Sequence, residues 1–228
     1  MRYSLLLRTL LSSSESRILK LLISPQKIQD YLDTLPINFE TRGETYMSPR
    51  RVLRYKTAHC LEGALFAATA LAYHGKKPLL MDFQTSYDDE DHVIALFRQN
   101  GLWGAVSKTN HAILRYRDPI YRTPRELALS FFHEYFTWDG RKSLKAFSAP
   151  YDLSRHKPEQ WVTEESDLEW LVEALDKSKH FPVVSKRNAR YLRCASKIEI
   201  DSLLQMEWSK GNVRSNRSKL PKCRRVYK

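Results

Sequence analysis

The chain has 228 residues, 42% hydrophobic and 28% charged, with seven glycines and ten prolines; this suits one domain with a real core and excludes a fibrous, low-complexity or wholly disordered chain. It contains no run of 18 apolar residues, so no membrane-spanning helix is expected. The net charge of +12 is concentrated at one end: residues 186–228 carry 13 basic and 3 acidic side chains, leaving +2 for residues 1–185. Cys60, Cys194 and Cys223 lack the spacing of a disulfide framework or a zinc pair, which fits a reducing, cytoplasmic setting.

Residues 1–20 hold Arg2, Arg8, Arg17, Lys20, five serines and a single acid, Glu15, a composition shared with organelle transit peptides. Leu5, Leu6, Leu10, Leu11, Ile18, Leu19 and Leu22 also recur at helical spacing, which reads as an amphipathic first helix. Ser24-Pro25 pairs an N-cap with proline at the first helical position and opens a helix to Leu35; Ser48-Pro49 repeats the device before residues 50–55. Residues 58–74 form an Ala/Leu-rich helix, apolar on nearly every side and therefore central, closed by Gly75.

From Lys77 the period changes, and residues 78–83, 92–99, 102–107 and 112–116 read as strands. Asn100-Gly101 joins the second to the third through a type I′ turn, which sets Arg98 opposite Trp103, Ile94 opposite Ser107, and His92 diagonal to Ser107. Thr123-Pro124-Arg125-Glu126 starts a helix to about Phe136, and Trp138-Asp139-Gly140 is a turn. Residues 141–162 show no clear period; Thr163, with Glu164, Glu165 and Asp167, opens a surface helix to about Lys177. Residues 186–208 read as helical and basic, and 209–228 as a disordered tail. The chain thus divides into N-terminal helices (1–45), a core (46–140), a C-terminal helical segment packed on that core (141–208) and a basic tail (209–228).

Cys60 lies near the start of the buried helix, where unpaired backbone N–H groups and the helix dipole lower a thiol pKa, and a nucleophile needs such a position. His92 opens a strand directly after Asp88-Asp89-Glu90-Asp91 and has the place of a thiol-activating base. The segments Thr57-Ala58-His59-Cys60-Leu61-Glu62-Gly63-Ala64, His74-Gly75, His92-Val93-Ile94-Ala95-Leu96-Phe97 and Asn100-Gly101-Leu102-Trp103-Gly104-Ala105-Val106-Ser107 resemble the transglutaminase-like superfamily of papain-like thiol enzymes. Its pattern is a Cys opening a helix, a His beginning a strand and an Asp ending the next.

The resemblance covers about residues 50–116 and implies an α+β fold: a papain-like core with a Cys-bearing central helix packed on an antiparallel sheet, followed by C-terminal helices and the basic tail. It implies Cys60 as nucleophile and His92 as base. Ser107 stands where the family has the Asp that orients the histidine, and Ile94 where it often has an aromatic residue. A serine accepts the imidazole N–H bond without bringing charge, and on this reading Ser107→Asp strengthens the thiolate–imidazolium pair. Asn110 and Asp82 are alternative orienting groups. Glu62 shares the family's Cys-x-Glu spacing and reads as a helix-start stabiliser.

His59 and His111 add imidazoles near the cleft, but the seven histidines show no HExxH or other ligand spacing, so neither a metal nor a cofactor is expected. Residues 88–91 read as a solvated acidic loop, with gating of a basic substrate as the other reading. The implied activity is a peptidase, amidase or acyl transferase acting on protein or peptide amides through a thioester. The alternative is an inactive module of the same fold whose residues 186–228, with Tyr191, Trp208 and Tyr227 interleaved, bind nucleic acid or another polyanion.

Overall fold

Side-chain caps start most of the helices in the computed structural model, which describes residues 3–41, 43–86 and 88–210. Ser24, Ser48 and Thr123 each accept a backbone N–H three residues on and open α3 (Pro25–Thr34), α4 (Pro49–Tyr55) and α6 (Pro124–Leu129), each with proline in its first turn. The leucine-rich start forms two helices rather than one, α1 (Tyr3–Leu10) and α2 (Ser13–Leu21). Ser12 and Glu15 form a reciprocal capping box, and this local bonding competes with continuation of the first helix. Both helices belong to the core: Leu7 and Leu19 are fully buried, Arg8 donates to the carbonyl of Tyr73, and Arg50 pairs with Glu15 at 2.8 Å.

The central helix, α5 (Cys60–Tyr73), is buried from Leu61 to Tyr73. Among the described residues seven strands form one antiparallel sheet: β1 (Leu79–Gln84), β2 (His92–Gln99), β3 (Leu102–Val106), β4 (Arg117–Tyr121), β5 (Ala146–Ser148), β6 (Tyr151–Asp152) and β7 (His180–Pro182). The order is β4-β3-β2-β1-β5-β7, with β6 also on β1. The chain is therefore an α+β protein, and β2 is buried on both faces. Val93, Ala95 and Phe97 pack with α5, while Ile94 and Leu96 pack with Leu127, Phe131 and Phe147. Asn100 and Gly101 have φ of 51° and 83°, and the β2–β3 pairing follows the turn, with Arg98 opposite Trp103 and Gln99 opposite Leu102.

Five further expectations are corrected. The helix from Thr123 ends at Leu129 rather than about Phe136: the Ser130 hydroxyl donates back to the Leu127 carbonyl, and residues 132–134 form a separate 3-10 turn. Residues 112–116 are not a strand: Leu114 has φ 60°, its N–H donates to the Glu134 carboxylate and its carbonyl accepts from Ser107, so its backbone is satisfied by side chains and pairing resumes at β4. The helix after Thr163 begins only at α7 (Glu169–Asp176), because the preceding acids are bound to α4 and its approach. Asp167 accepts from Tyr46 N–H and Arg51, Glu165 pairs with Arg54, and the carbonyl of Glu164 accepts from Ser48.

Residues 141–208 are not purely helical, since they supply β5, β6 and β7 to the shared sheet. Residues 186–208 form only two short helices, the exposed α8 (Lys186–Ala189) and the half-buried α9 (Lys197–Leu203). Between them the chain crosses Gly140, whose carbonyl accepts from Ala195 N–H at 2.8 Å. Gly140 has φ 85°, and a Cβ there would lie 2.9 Å from the Ala195 carbonyl oxygen. No helix among the described residues is long and apolar enough to cross a membrane. Most of the expected basic tail, residues 211–228, lies outside the described residues.

Candidate active site

Cys60 is the first residue of α5, and the helix start is joined to the 38–47 loop through one buried carboxylate. Glu62 is fully buried and accepts from the backbone N–H of His59 (2.9 Å) and Met47 (3.1 Å), from Thr45 Oγ1 (3.0 Å) and from Asn38 Nδ2 (3.2 Å). Such a carboxylate holds the helix N-terminus against the loop and leaves the Cys60 side chain in a partly open position.

His92, 6% exposed, opens β2, and its Nε2 lies 2.8 Å from Ser107 Oγ, just beyond the end of β3. Ser107 Oγ is in turn 2.6 Å from the carbonyl oxygen of Leu114. A carbonyl only accepts, so the serine proton goes to Leu114 and Ser107 must accept from His92 Nε2–H. That assignment fixes the tautomer of neutral His92 and leaves its basic lone pair on Nδ1.

Ser107 itself is rigidly held. The amide of Gln29, on α3, accepts from Ser107 N–H (3.0 Å) and donates to Ser107 C=O (2.8 Å), pairing both backbone groups as a strand would. The neighbouring Lys108 ammonium is buried and donates to the carbonyls of Leu32 (3.0 Å) and Leu35 (2.5 Å), at the negative end of α3. Gly63 makes room for this loop, since a Cβ on it would come within 2.4 Å of Lys108 Cβ.

A second imidazole flanks the thiol. His59 Nδ1 is 4.0 Å from Cys60 Sγ, while its Nε2 donates to the carbonyl of Thr45 (2.7 Å) and faces Glu62 (3.4 Å) and Glu40 (3.8 Å). Burial works against both charged forms, yet hydrogen bonding and charge prevail. For Cys60 the neighbouring imidazoles of His59 and then His92 outweigh burial and hold the thiol well below its ordinary range. His59, facing Cys60 and Glu62, is raised to about 10.

His59, Cys60 and His92 share a cleft of about 560 Å³. Ile37, Phe39, Ile113 and Phe136 give it apolar walls, and residues 88–91 form an acidic rim. Part of that rim is tied into the fold: Asp88 pairs with Arg141 at 2.5 Å, Asp89 accepts from Ser143, and Asp91 accepts from Thr85. Tyr135 also lines the cleft; it is 2% exposed, and its hydroxyl has no hydrogen-bond partner among the described residues. Burial first, then the charges of Cys60, Asp89, Asp82 and Asp91, push its phenol well above the ordinary range, so it remains a donor.

Cys60, His92 and Ser107 are thus brought together, whereas the alternative orienting groups are engaged elsewhere. The Asn110 amide donates to the Trp208 carbonyl (3.0 Å) and accepts from Trp208 N–H (2.8 Å), so it fastens the C-terminal segment rather than His92. Asp82 faces His180 Nε2 at 3.0 Å, and His111 bonds the Leu203 carbonyl. Burial raises Asp82 to about 6, with His180 opposing the rise. No three His, Cys, Asp or Glu side chains among the described residues converge as a metal site.

The sequence reading assigned no role to Tyr135 or Gln29, and it noted His59 only as a neighbouring imidazole. Adjacency of His59 to Cys60 at a helix start was the available signal; the other two come together only in three dimensions. No family model matches this chain, and no curated protein matches its sequence.

Proposed function

We propose that this protein is a transglutaminase-like thiol enzyme acting on protein or peptide amides as a peptidase, amidase or acyl transferase. One observation carries the reading: a helix-start thiol and an imidazole whose Nε2–H is committed to Ser107 meet in one cleft. Cys60 gives its proton to His92 Nδ1, and the sulfur attacks the amide carbonyl. A C–S bond forms while the carbonyl π pair moves onto oxygen, which the N–H groups at the start of α5 stabilise. Collapse breaks the C–N bond, and the departing nitrogen takes the proton from His92, leaving a thioester for water or an amine to attack. The free thiols of Cys60 and Cys194 suit a reducing compartment such as the cytoplasm.

The test is intact-protein and peptide mass spectrometry after exposure to p-nitrophenyl acetate. The expected result is an acetyl adduct on Cys60 that is absent in Cys60→Ser and turns over slowly in His92→Ala. An adduct spread over exposed Cys194 as readily as Cys60 would refute the proposal. A second reading, a non-catalytic module that binds a polyanion, is favoured by the neutral Ser107 and by the exposed Lys186, Arg187, Arg190, Arg193 and Tyr191. It requires steeply salt-dependent binding to single-stranded nucleic acid and no Cys60 adduct.

A further inference from the structure

The position that Ser107 fills brings no negative charge to His92, but the opposite side of the thiol is differently built. His59 Nε2 faces two carboxylates within 4 Å, Glu62 on α5 and Glu40 on the preceding loop, and donates to the Thr45 carbonyl. That donation leaves Nδ1 as the ring nitrogen toward Cys60 Sγ, 4.0 Å away. Glu40 is a non-glycine residue with φ 48°, a left-handed conformation that persists only where its surroundings impose it. Its carboxylate is fixed by Thr45 N–H, and its own N–H by Asn38, the side chain that also bonds Glu62. The Tyr46 ring stands edge-on to the imidazole and closes that side.

We propose that Glu62 and Glu40 keep His59 as an imidazolium, and that this fixed charge, rather than His92, holds Cys60 as a thiolate. The inference rests on the thiol-enzyme reading of the cleft and divides the labour within it. His92 takes the thiol proton and returns it to the leaving nitrogen; His59 gives up no proton during the cycle. A group that remains charged throughout the neutral range is a poor shuttle and a good counter-ion. The carboxylate–imidazole–sulfur alignment is therefore present, but on the residue next to the nucleophile instead of across the sheet. The groups facing His59 are Glu40 and Tyr46 from the loop, and Cys60 and Glu62 from α5; His92 faces the sulfur from β2.

The experiment is a pH titration of thiolate ultraviolet absorbance in the full chain carrying Cys194→Ser and Cys223→Ser. Three further changes are compared on that background: His59→Gln, whose amide can still donate to Thr45, Glu40→Gln and His92→Asn. The expected result is a depressed titration in the background protein and in His92→Asn, with acyl turnover lost only in the latter. His59→Gln should move the titration toward the ordinary thiol range, cutting the thiolate fraction at pH 6 by about tenfold or more. Glu40→Gln, at a side chain 32% exposed, should shift it less and in the same direction. A titration unmoved by His59→Gln and displaced by His92→Asn would overturn the inference while leaving the thiol enzyme standing. An ordinary thiol in the background protein would remove both.

Discussion

Aspartate at position 107, the residue that the family resemblance calls for, should weaken this protein, and asparagine should not weaken it to the same extent. Ser107 is 1% exposed and plays two parts at once, accepting from His92 Nε2–H and donating to the Leu114 carbonyl 2.6 Å away. An aspartate carboxylate has no proton to donate, so it would set two acceptor oxygens against each other and leave the Leu114 carbonyl without its bond. An asparagine amide has both functions at nearly the same size, so the overpacking caused by the longer side chain, about 1–3 kcal/mol, largely cancels between the two variants. The remaining difference is the cost of one unsatisfied buried acceptor, about 1–3 kcal/mol, partly offset by the charge-assisted bond that aspartate gains with His92.

Urea denaturation at neutral pH should therefore show Ser107→Asp less stable than Ser107→Asn by about 1–2 kcal/mol. The gap should close as pH falls and the new carboxyl acquires the proton it lacks: its folded pKa is raised, so its stabilising form is present at low pH and lost as pH rises. Ser107→Asp equal to or more stable than Ser107→Asn at neutral pH would refute this account of why a serine stands here.

Gly63→Ala would ordinarily stabilise a helix by about 1 kcal/mol, but the contact with Lys108 Cβ should make it destabilising by about 1–2 kcal/mol in chemical denaturation; a more stable variant would contradict the close approach. Burial places the Asp82 carboxyl at about 6, above its ordinary value, so stability should decline as pH rises from about 4 through about 6. Asp82→Asn should flatten that slope in melting temperature against pH, and identical slopes would show that another group sets it.

Local chemistry was legible in the sequence wherever one residue decides a backbone conformation. Asn100-Gly101 supplies two positive φ angles and so fixes the β2–β3 register, and Ser24-Pro25, Ser48-Pro49 and Thr123-Pro124 each start a helix because cap and proline act within one turn. Elements governed by distant partners were not legible. Residues 112–116 have the composition of a strand, yet Ser107 and Glu134 take the Leu114 backbone first. Glu164, Glu165 and Asp167 resemble a helix start, yet they are bound to Ser48, Arg54 and Arg51. The strands β5 and β7 are three residues each, too short to show a period, and are defined by their pairing with β1 and with each other. The meeting of Cys60, His92 and Ser107 in space could be read from position and register. The partner of Asn110 could not be read, because its two bonds go to Trp208, 98 positions along the chain.

The central claim is that Cys60 is a nucleophilic thiolate in the cleft, and site-resolved alkylation tests it most directly. The folded full-length protein is treated with limiting iodoacetamide at about pH 6, where an ordinary thiol is almost entirely protonated. The adduct at each cysteine is then quantified by peptide mass spectrometry over time. The account predicts that half-buried Cys60 is modified at least tenfold faster than exposed Cys194, reversing the order that accessibility alone would give. Cys194 reacting as fast as or faster than Cys60 would contradict it and leave Cys60 a structural residue at the start of α5.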